Sequence, residues 1–289
     1  MGKKPKILFI LSEFVPIGVE LLTSIITNRG FQVSTIYYDD AVPFLSANTY
    51  DPANKSIKDF QNFLLESINK EQPDLIGFSC FTSNYQWSLK CSKFLKNHLD
   101  IPIIFGGYHA IEATEYVIQE SSVDMVCFGE GEIAIIELLE AIEENRDITR
   151  IKNLWVKKDN VIHKNDASPL VQDLDALPFP DKSVFAELEK NSVSQGTYLM
   201  MGSRGCFYRC SFCSNNFLAT QFKDWNKVRY RTPENIYAEI ENYVNKYNVK
   251  LKLVDFTDDI VAHNNTRLAE LFYGFKKRFG IPYTCLAGC

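Results

Sequence analysis

Cys206, Cys210 and Cys213 lie within one short stretch, separated by three and then by two residues. Cysteines at such spacing suit a metal centre, because thiolates are soft ligands and a tight turn brings several of them together. A cluster of four irons takes four ligands, so three thiolates leave one iron open to a small molecule. Zinc is the competing reading, since its sites accept two to four residues between ligands. Zinc also takes a fourth ligand, and the 49 residues after Cys213 contain neither His nor Cys. Cys285 and Cys289 reach the site only by a long fold-back. Gly205 permits a sharp turn just before the first thiol, and the β-prone run 197–201 places the loop at the carboxyl end of a strand.

With Arg204 and Gly205 in front and Phe212 beside the last cysteine, the motif resembles the signature of the radical S-adenosylmethionine (SAM) enzymes. The resemblance implies that Cys206, Cys210 and Cys213 ligate a 4Fe-4S cluster whose open iron takes the amino and carboxylate groups of SAM. It implies reductive cleavage to a 5'-deoxyadenosyl radical, an electron donor such as flavodoxin or ferredoxin, and a seat for adenine at Phe212 and the adjoining backbone. The β-type run 250–256 ends in Thr257, Asp258 and Asp259. In the family such a strand end hydrogen-bonds the SAM amino group, which gives Asp258 or Asp259 that role; a carboxylate holding an ammonium is a charge-assisted contact. N-capping of the helix expected over 266–279 is the other use for this pair. Arg229 and Arg231 read equally as a solvated basic turn or as contacts to the SAM carboxylate or to substrate.

The elements that must position this loop begin far upstream. From residue 6 to about 145 the chain alternates apolar runs at 7–11, 32–37, 75–80, 103–105 and 125–128 with helical patterns at 19–28, 57–69, 85–99, 113–120 and 133–144. Strands without polar alternation belong to a parallel sheet covered on both faces. The expectation is an α/β, doubly wound, Rossmann-like or flavodoxin-like domain, whose ligand lies beyond the carboxyl ends of its strands. The loops there are Ser12, Glu13 and Phe14; Ser79 to Ser83; Gly106, Gly107, Tyr108 and His109; and Gly129 to Glu132. Any one of these glycine turns simply ends a strand. Together, ahead of the cysteine loop, they resemble the N-terminal cobalamin-binding domain of a large class of radical SAM proteins. That likeness implies Ser79, Thr82, Gly106, Gly107, Gly129, Glu130 and Gly131 as contacts to the nucleotide tail and corrin edge. One departure stands out: residues 12–18 lack the Asp-x-His-x-x-Gly that supplies a cobalt ligand in mutases and methionine synthase. His109 is read as a pocket-edge or capping residue, and His98 as a helix-end residue favoured by the dipole.

The 289 residues suffice for about two domains, and 46% hydrophobic content supports real cores. A net charge of -5 and a pI near 5.5 argue against an extended nucleic-acid surface. Eight cysteines are too sparse for a secreted disulfide scaffold and suit a reducing compartment, so a cytoplasmic location is expected. The amino-terminal apolar run is too short for a signal peptide, and no stretch approaches the ~20 apolar residues of a membrane span. The division expected is a cobalamin-binding domain over 1–152, a hairpin and proline-containing linker over 153–195, and the start of a radical SAM (βα) partial TIM barrel over 196–289. Only about two and a half βα units fit there, which reads as an apparently truncated barrel. The reaction implied is methyl transfer to an unreactive carbon of a small-molecule substrate. Oxidative cyclisation or rearrangement, a non-catalytic cobalamin module, and a zinc-stabilised nucleotide-binding protein are the alternatives.

Overall fold

Ile7, Leu8, Phe9, Ile10 and Leu11 are all buried, because the first strand is covered by helices on both faces. The computed structural model describes residues 4–12, 16–38, 55–183, 196–261 and 265–286. Within them two units are distinct, Met1–Ser168 and Pro169–Cys289.

In the first unit, strands β1 (Lys6–Ser12), β2 (Gln32–Tyr38), β3 (Leu75–Ser79), β4 (Ile103–Gly106) and β5 (Met125–Cys127) run parallel in the order β2-β1-β3-β4-β5. This is the flavodoxin-like order, with its switch point between β1 and β3. Each strand lies within one residue of its expected ends. One face is packed by α2 (Lys55–Glu71) and α3 (Tyr85–Lys96). Ile57, Phe60, Leu64 and Ile68 recur at helical spacing, and they meet Leu8, Ile10, Ile76 and Phe78 in one cluster. On the other face, α1 (Ile17–Asn28) packs against α6 (Gly131–Glu143). Gly77 lies opposite Phe9 in register, and a Cβ there would meet the Phe9 ring at 2.8 Å, so the glycine makes room for the aromatic side chain. The helix expected over 113–120 instead starts earlier and breaks, as α4 (Tyr108–Glu112) and α5 (Thr114–Val117). The Thr114 hydroxyl donates back to the Ala110 and Ile111 carbonyls, which competes with a continuous backbone ladder.

The hairpin β6 (Leu154–Lys158) and β7 (Val161–Lys164) adds to the sheet antiparallel to β5. Its two turn residues, Asp159 and Asn160, have φ of 52° and 61°, as a two-residue turn of this kind demands. The first unit extends through this hairpin to Ser168. Asn153 and Asn165 explain the extension. The Asn153 backbone N-H donates to Asp166 and its Oδ1 accepts from Ser168 N-H, while Asn165 donates to the Leu154 carbonyl.

In the second unit, β8 (Thr197–Met200), β11 (Leu253–Phe256) and β12 (Tyr283–Cys285) form a parallel sheet in the order β12-β11-β8. Helices α8 (Pro233–Tyr247) and α9 (Asn265–Phe279) cover it, with Ile236, Ile240, Tyr243, Leu271 and Phe275 packed on Tyr198, Val254 and Phe256. Two-residue strands β9 (Ser203–Arg204) and β10 (Arg229–Tyr230) pair antiparallel and bracket helix α7 (Ser214–Gln221). Thr232 caps α8 by accepting from Asn235 N-H at 3.3 Å, with Pro233 at the first position. Residues 169–183, expected as part of a spacer, belong to this unit: Leu170 and Leu174 are buried, and Asp175 accepts from Thr232 N-H at 3.0 Å.

Arg231 is not a solvated cation. It pairs with Glu239 at 2.6 Å, where the two side chains are only 11% and 2% exposed, and Tyr198 donates to the same carboxylate at 2.7 Å. Removing one partner of a buried pair leaves the other charge uncompensated. Arg231→Met is therefore expected to cost about 3–5 kcal/mol in urea unfolding of the second unit, with Arg231→Met/Glu239→Leu recovering much of it. A loss below about 1 kcal/mol for the single variant would show that the pair is held in water.

Candidate functional site

The cysteine loop starts where β9 ends. Gly205 has φ of +92°, and a Cβ there would sit 2.5 Å from the Trp225 carbonyl oxygen, so a side chain is excluded as the chain turns beneath it. Cys206 follows, buried; Cys210 is exposed; Cys213 is half-buried at the N-cap position of α7. Cys213 N-H donates to the Cys210 carbonyl at 3.1 Å, closing the turn between them. All three thiols are free, and the Cys206 thiol is pushed up by burial and further by charges at Asp259, Cys213 and Cys210. Among the described residues no three His, Cys, Asp or Glu side chains converge tightly enough to hold a metal ion. The shared turn brings the thiols within reach of one another's charge without gathering the sulfurs to a point. Three free sulfur donors on one turn match in number and softness what an iron-sulfur cluster with one open iron takes. The Cys285 thiol, on β12, is pushed up by burial and further by the charges of Asp258 and Asp255, and Cys289 lies outside the described residues. Phe212 is 92% exposed, an apolar ring presented to solvent beside the last thiol.

Asp258 and Asp259, both expected as SAM contacts, have separate surroundings. Asp258 is 2% exposed; one oxygen accepts from Gly202 N-H at 3.1 Å and the other from the Ser203 hydroxyl. Burial raises its carboxyl above the ordinary value, and these donors with the Arg267 charge oppose the shift. It holds the end of β11 to the segment before β9. Asp259 is reached by solvent yet hemmed in by protein, and lost hydration raises its pKa against a hydrogen bond from Asn215. Of the two, Asp259 is the carboxylate beside the thiols. Arg229 is buried and donates to the Val171 carbonyl at 2.6 Å.

Asn215 escaped the sequence reading. It is buried between Cys213, Asp259 and Trp225. Its only sequence signal was an amide two residues after the last cysteine, in a helix start where Asn has many ordinary uses.

In the first unit, Ser79 and Gly106 end neighbouring strands and face each other in register. Cys80 N-H donates to the Gly106 carbonyl at 2.8 Å, and His109 N-H to the Cys80 carbonyl at 3.0 Å. Gly107 turns between them at φ of +87°, where a Cβ would lie 2.7 Å from the Cys80 backbone. Thr82 is exposed, with its hydroxyl 3.1 Å from His109 Nδ1, and the His109 ring packs on Tyr85 at 4.1 Å. Gly129, at φ of +128°, and Glu130 lead into α6, whose first residue is Gly131. The loop is held by Asn153 Nδ2 donating to the Glu130 carbonyl at 2.8 Å, a second residue that the sequence reading missed. These residues share the carboxyl edge of β3, β4 and β5. Ser12, at the same end of β1, is 1% exposed, and its hydroxyl has no partner among the described residues. A buried unpartnered hydroxyl and glycine turns too close for a side chain fit a polar ligand that approaches the backbone. Glu13 and Phe14 lie outside the described residues. The thiols of Cys80 and Cys127 are pushed up to about 12 by desolvation, and that of Cys91 is also raised, as for small apolar core residues.

The first unit has a family match. Residues 8–139 match the B12 binding domain. The chain is 27% identical over 213 residues to an uncharacterized methyltransferase of Pyrococcus horikoshii, covering 73% of this chain and 45% of that protein. It is 24% identical over 263 residues to the anaerobic magnesium-protoporphyrin IX monomethyl ester cyclase of Rubrivivax gelatinosus, covering 81% and 44%. The cobalamin-dependent S-adenosylmethionine radical enzyme OxsB, solved with aqua-cobalamin and SAM bound, superposes with a TM-score of 0.72 at 16% identity over 96% of this chain and 38% of that one. The chain therefore spans less than half the length of these relatives. The α/β fold with a mainly parallel sheet, and the resemblance to radical SAM proteins with a B12 domain, are as expected from the sequence. No helix among the described residues is long and apolar enough to cross a membrane.

His109 gives this edge a pH signature. Burial lowers its pKa below the ordinary 6.5, with Glu112 opposing. The unfolded chain therefore binds the proton more readily, so the contribution to stability is present above pH ~6.5 and is lost as pH falls toward the folded value. Urea midpoints between about pH 8 and 5 should fall less steeply for His109→Gln than for the unaltered chain; parallel curves would contradict the shift.

Proposed function

We propose that this chain belongs to a cobalamin-dependent radical SAM enzyme in which Cys206, Cys210 and Cys213 hold a 4Fe-4S cluster and the carboxyl edge of the first unit holds cobalamin. The observation that carries the reading is the loop of three free thiols opened by Gly205 and bordered by Asp259. When bound, such a cluster supplies the electron and the open iron at which SAM is cleaved to a 5'-deoxyadenosyl radical, and cobalamin carries a methyl group.

The chain's own residues then have distinct tasks. The three thiols bind as thiolates, and each proton leaves when metal replaces it. Asp259 holds the SAM ammonium, a charge-assisted contact for which Asp258, 2% exposed and tied to Gly202 and Ser203, is not presented. Phe212, presented to solvent, covers the adenine face and gives up its exposed area on binding. Ser79, Thr82, Gly106, Gly107, Gly129, Glu130 and Gly131 border the cobalamin tail. Ser12 offers its unpartnered hydroxyl at the same edge.

Methyl transfer to an unreactive carbon of a small-molecule substrate is the leading reaction, in keeping with a relative named as a methyltransferase. Oxidative cyclisation is the second reading, because another relative carries that name. A flavodoxin or ferredoxin serves as electron donor, in a cytoplasmic setting.

Anaerobic reconstitution tests the proposal. About four irons per chain are expected, with a cluster spectrum that responds to SAM, and 5'-deoxyadenosine should form under a strong reductant. Alanine at Cys206, Cys210 or Cys213 should abolish nucleoside formation and most of the iron, whereas Cys91→Ala should leave iron content unchanged. Asp259→Asn should weaken SAM binding about tenfold or more while retaining iron. A colourless protein with zinc and no iron would sink the reading; corrin binding without nucleoside formation would leave a non-catalytic cobalamin module.

A further inference from the structure

Asn215 stands in the first turn of α7, two residues past Cys213, and is 6% exposed. Trp225 Nε1 donates to its Oδ1 at 2.8 Å. An indole N-H is a donor only, so this bond fixes which end of the amide faces Trp225 and turns the NH2 group the other way. There Nδ2 lies 3.9 Å from Cys213 Sγ, at the long end for a bond to sulfur, with the Asp259 carboxylate near enough for the amide to oppose the rise in its pKa. Trp225 is itself buried, and its backbone carbonyl is the atom that forces glycine at position 205. Trp225 thus shapes the entrance of the loop with its carbonyl and orients the amide at its exit with its indole.

Donors aimed at a ligating sulfur stabilise the added negative charge of the reduced cluster and so raise its potential. Resting on the cluster reading above, we propose that Asn215 is a positioning residue that donates to the Cys213 thiolate and raises the cluster's reduction potential. Trp225 enforces the orientation in which this is possible. An Asn amide is neutral, so it meets the thiolate without neutralising it. Asp259 keeps its charge for a cationic ligand.

The test is a one-electron redox titration of the reconstituted full chain, followed by the resonance of the reduced cluster. Asn215→Leu and Asn215→Asp remove the donors at nearly constant volume; Trp225→Phe keeps the donors and removes the bond that orients them. At the midpoint of the unaltered protein, the reduced-to-oxidised ratio should fall about tenfold in the Asn215 variants, equivalent to ~59 mV for one electron. Trp225→Phe should move it in the same direction by less. A merely structural amide would lower Tm and leave the ratio unmoved, so an unchanged ratio in iron-loaded variants overturns the proposal. Should the Asn215 variants lose their iron, Trp225→Phe decides, and an unchanged ratio there overturns it equally. Absence of iron in the unaltered protein removes the cluster reading and this inference together, whereas a SAM-responsive cluster with flat variants removes this inference alone.

Discussion

A carboxylate taken out of water must be met by donors, and the second unit is arranged around meeting one. Asp258 is buried at the end of β11, and its partners are the Gly202 N-H and the Ser203 hydroxyl, more than fifty residues earlier in the chain. Arg267 lies close enough to oppose the rise in its pKa, donates to the Arg231 and Gly202 carbonyls, and sits over the Tyr230 ring. These contacts tie the ends of β8 and β11 to the short β9-β10 pair from which the cysteine loop departs. An ionised buried carboxylate without donors costs several kcal/mol. The position of the loop is thus bound to the satisfaction of one charge.

The first unit solves the equivalent problem with backbone groups and one side-chain amide. Parallel strands end on one edge with free carbonyl and N-H groups, and these must be paired without filling the space a ligand needs. Cys80 and Gly106 pair across β3 and β4, His109 returns to the Cys80 carbonyl, and Gly107 passes too close to carry a side chain. Asn153 does the same for the loop before α6 from beyond the last parallel strand. Where the backbone satisfies itself this tightly, side chains such as Thr82 stay at the rim.

The parts legible in the sequence are those set by local chemistry. Five apolar runs pointed to the parallel strands, and a hairpin was expected after them. Three cysteines and the strand-end glycines pointed to the two candidate sites. What stayed hidden depends on contacts across the fold. Arg231 looks like a surface cation until Glu239, eight residues on, and Tyr198 close around it. Asn215 is an ordinary helix-start residue until Trp225 turns its amide. The split at Ala113 follows from a Thr hydroxyl that has both a helical and a non-helical use. The way Asn153 and Asn165 fasten the end of the first unit was hidden too, because these side-chain amides resemble any polar turn in sequence.

The different surroundings of the adjacent acids follow from strand geometry. Along the end of β11 and just past it, Val254, Phe256 and Asp258 are buried while Asp255, Thr257 and Asp259 are more open, an alternation of period two. Val254 and Phe256 are held inward by Tyr198 and Met200 opposite them on β8, and β12 repeats the register from the other side. Asp258 continues the inward series and is consumed by the structure; Asp259 continues the outward series and remains beside the thiols. A slip of one residue would exchange the two, placing Asp259 in the buried position and exposing Phe256. The hydrophobic pairing of β11 with its neighbours therefore decides which carboxylate is free to meet a ligand, long before any ligand arrives.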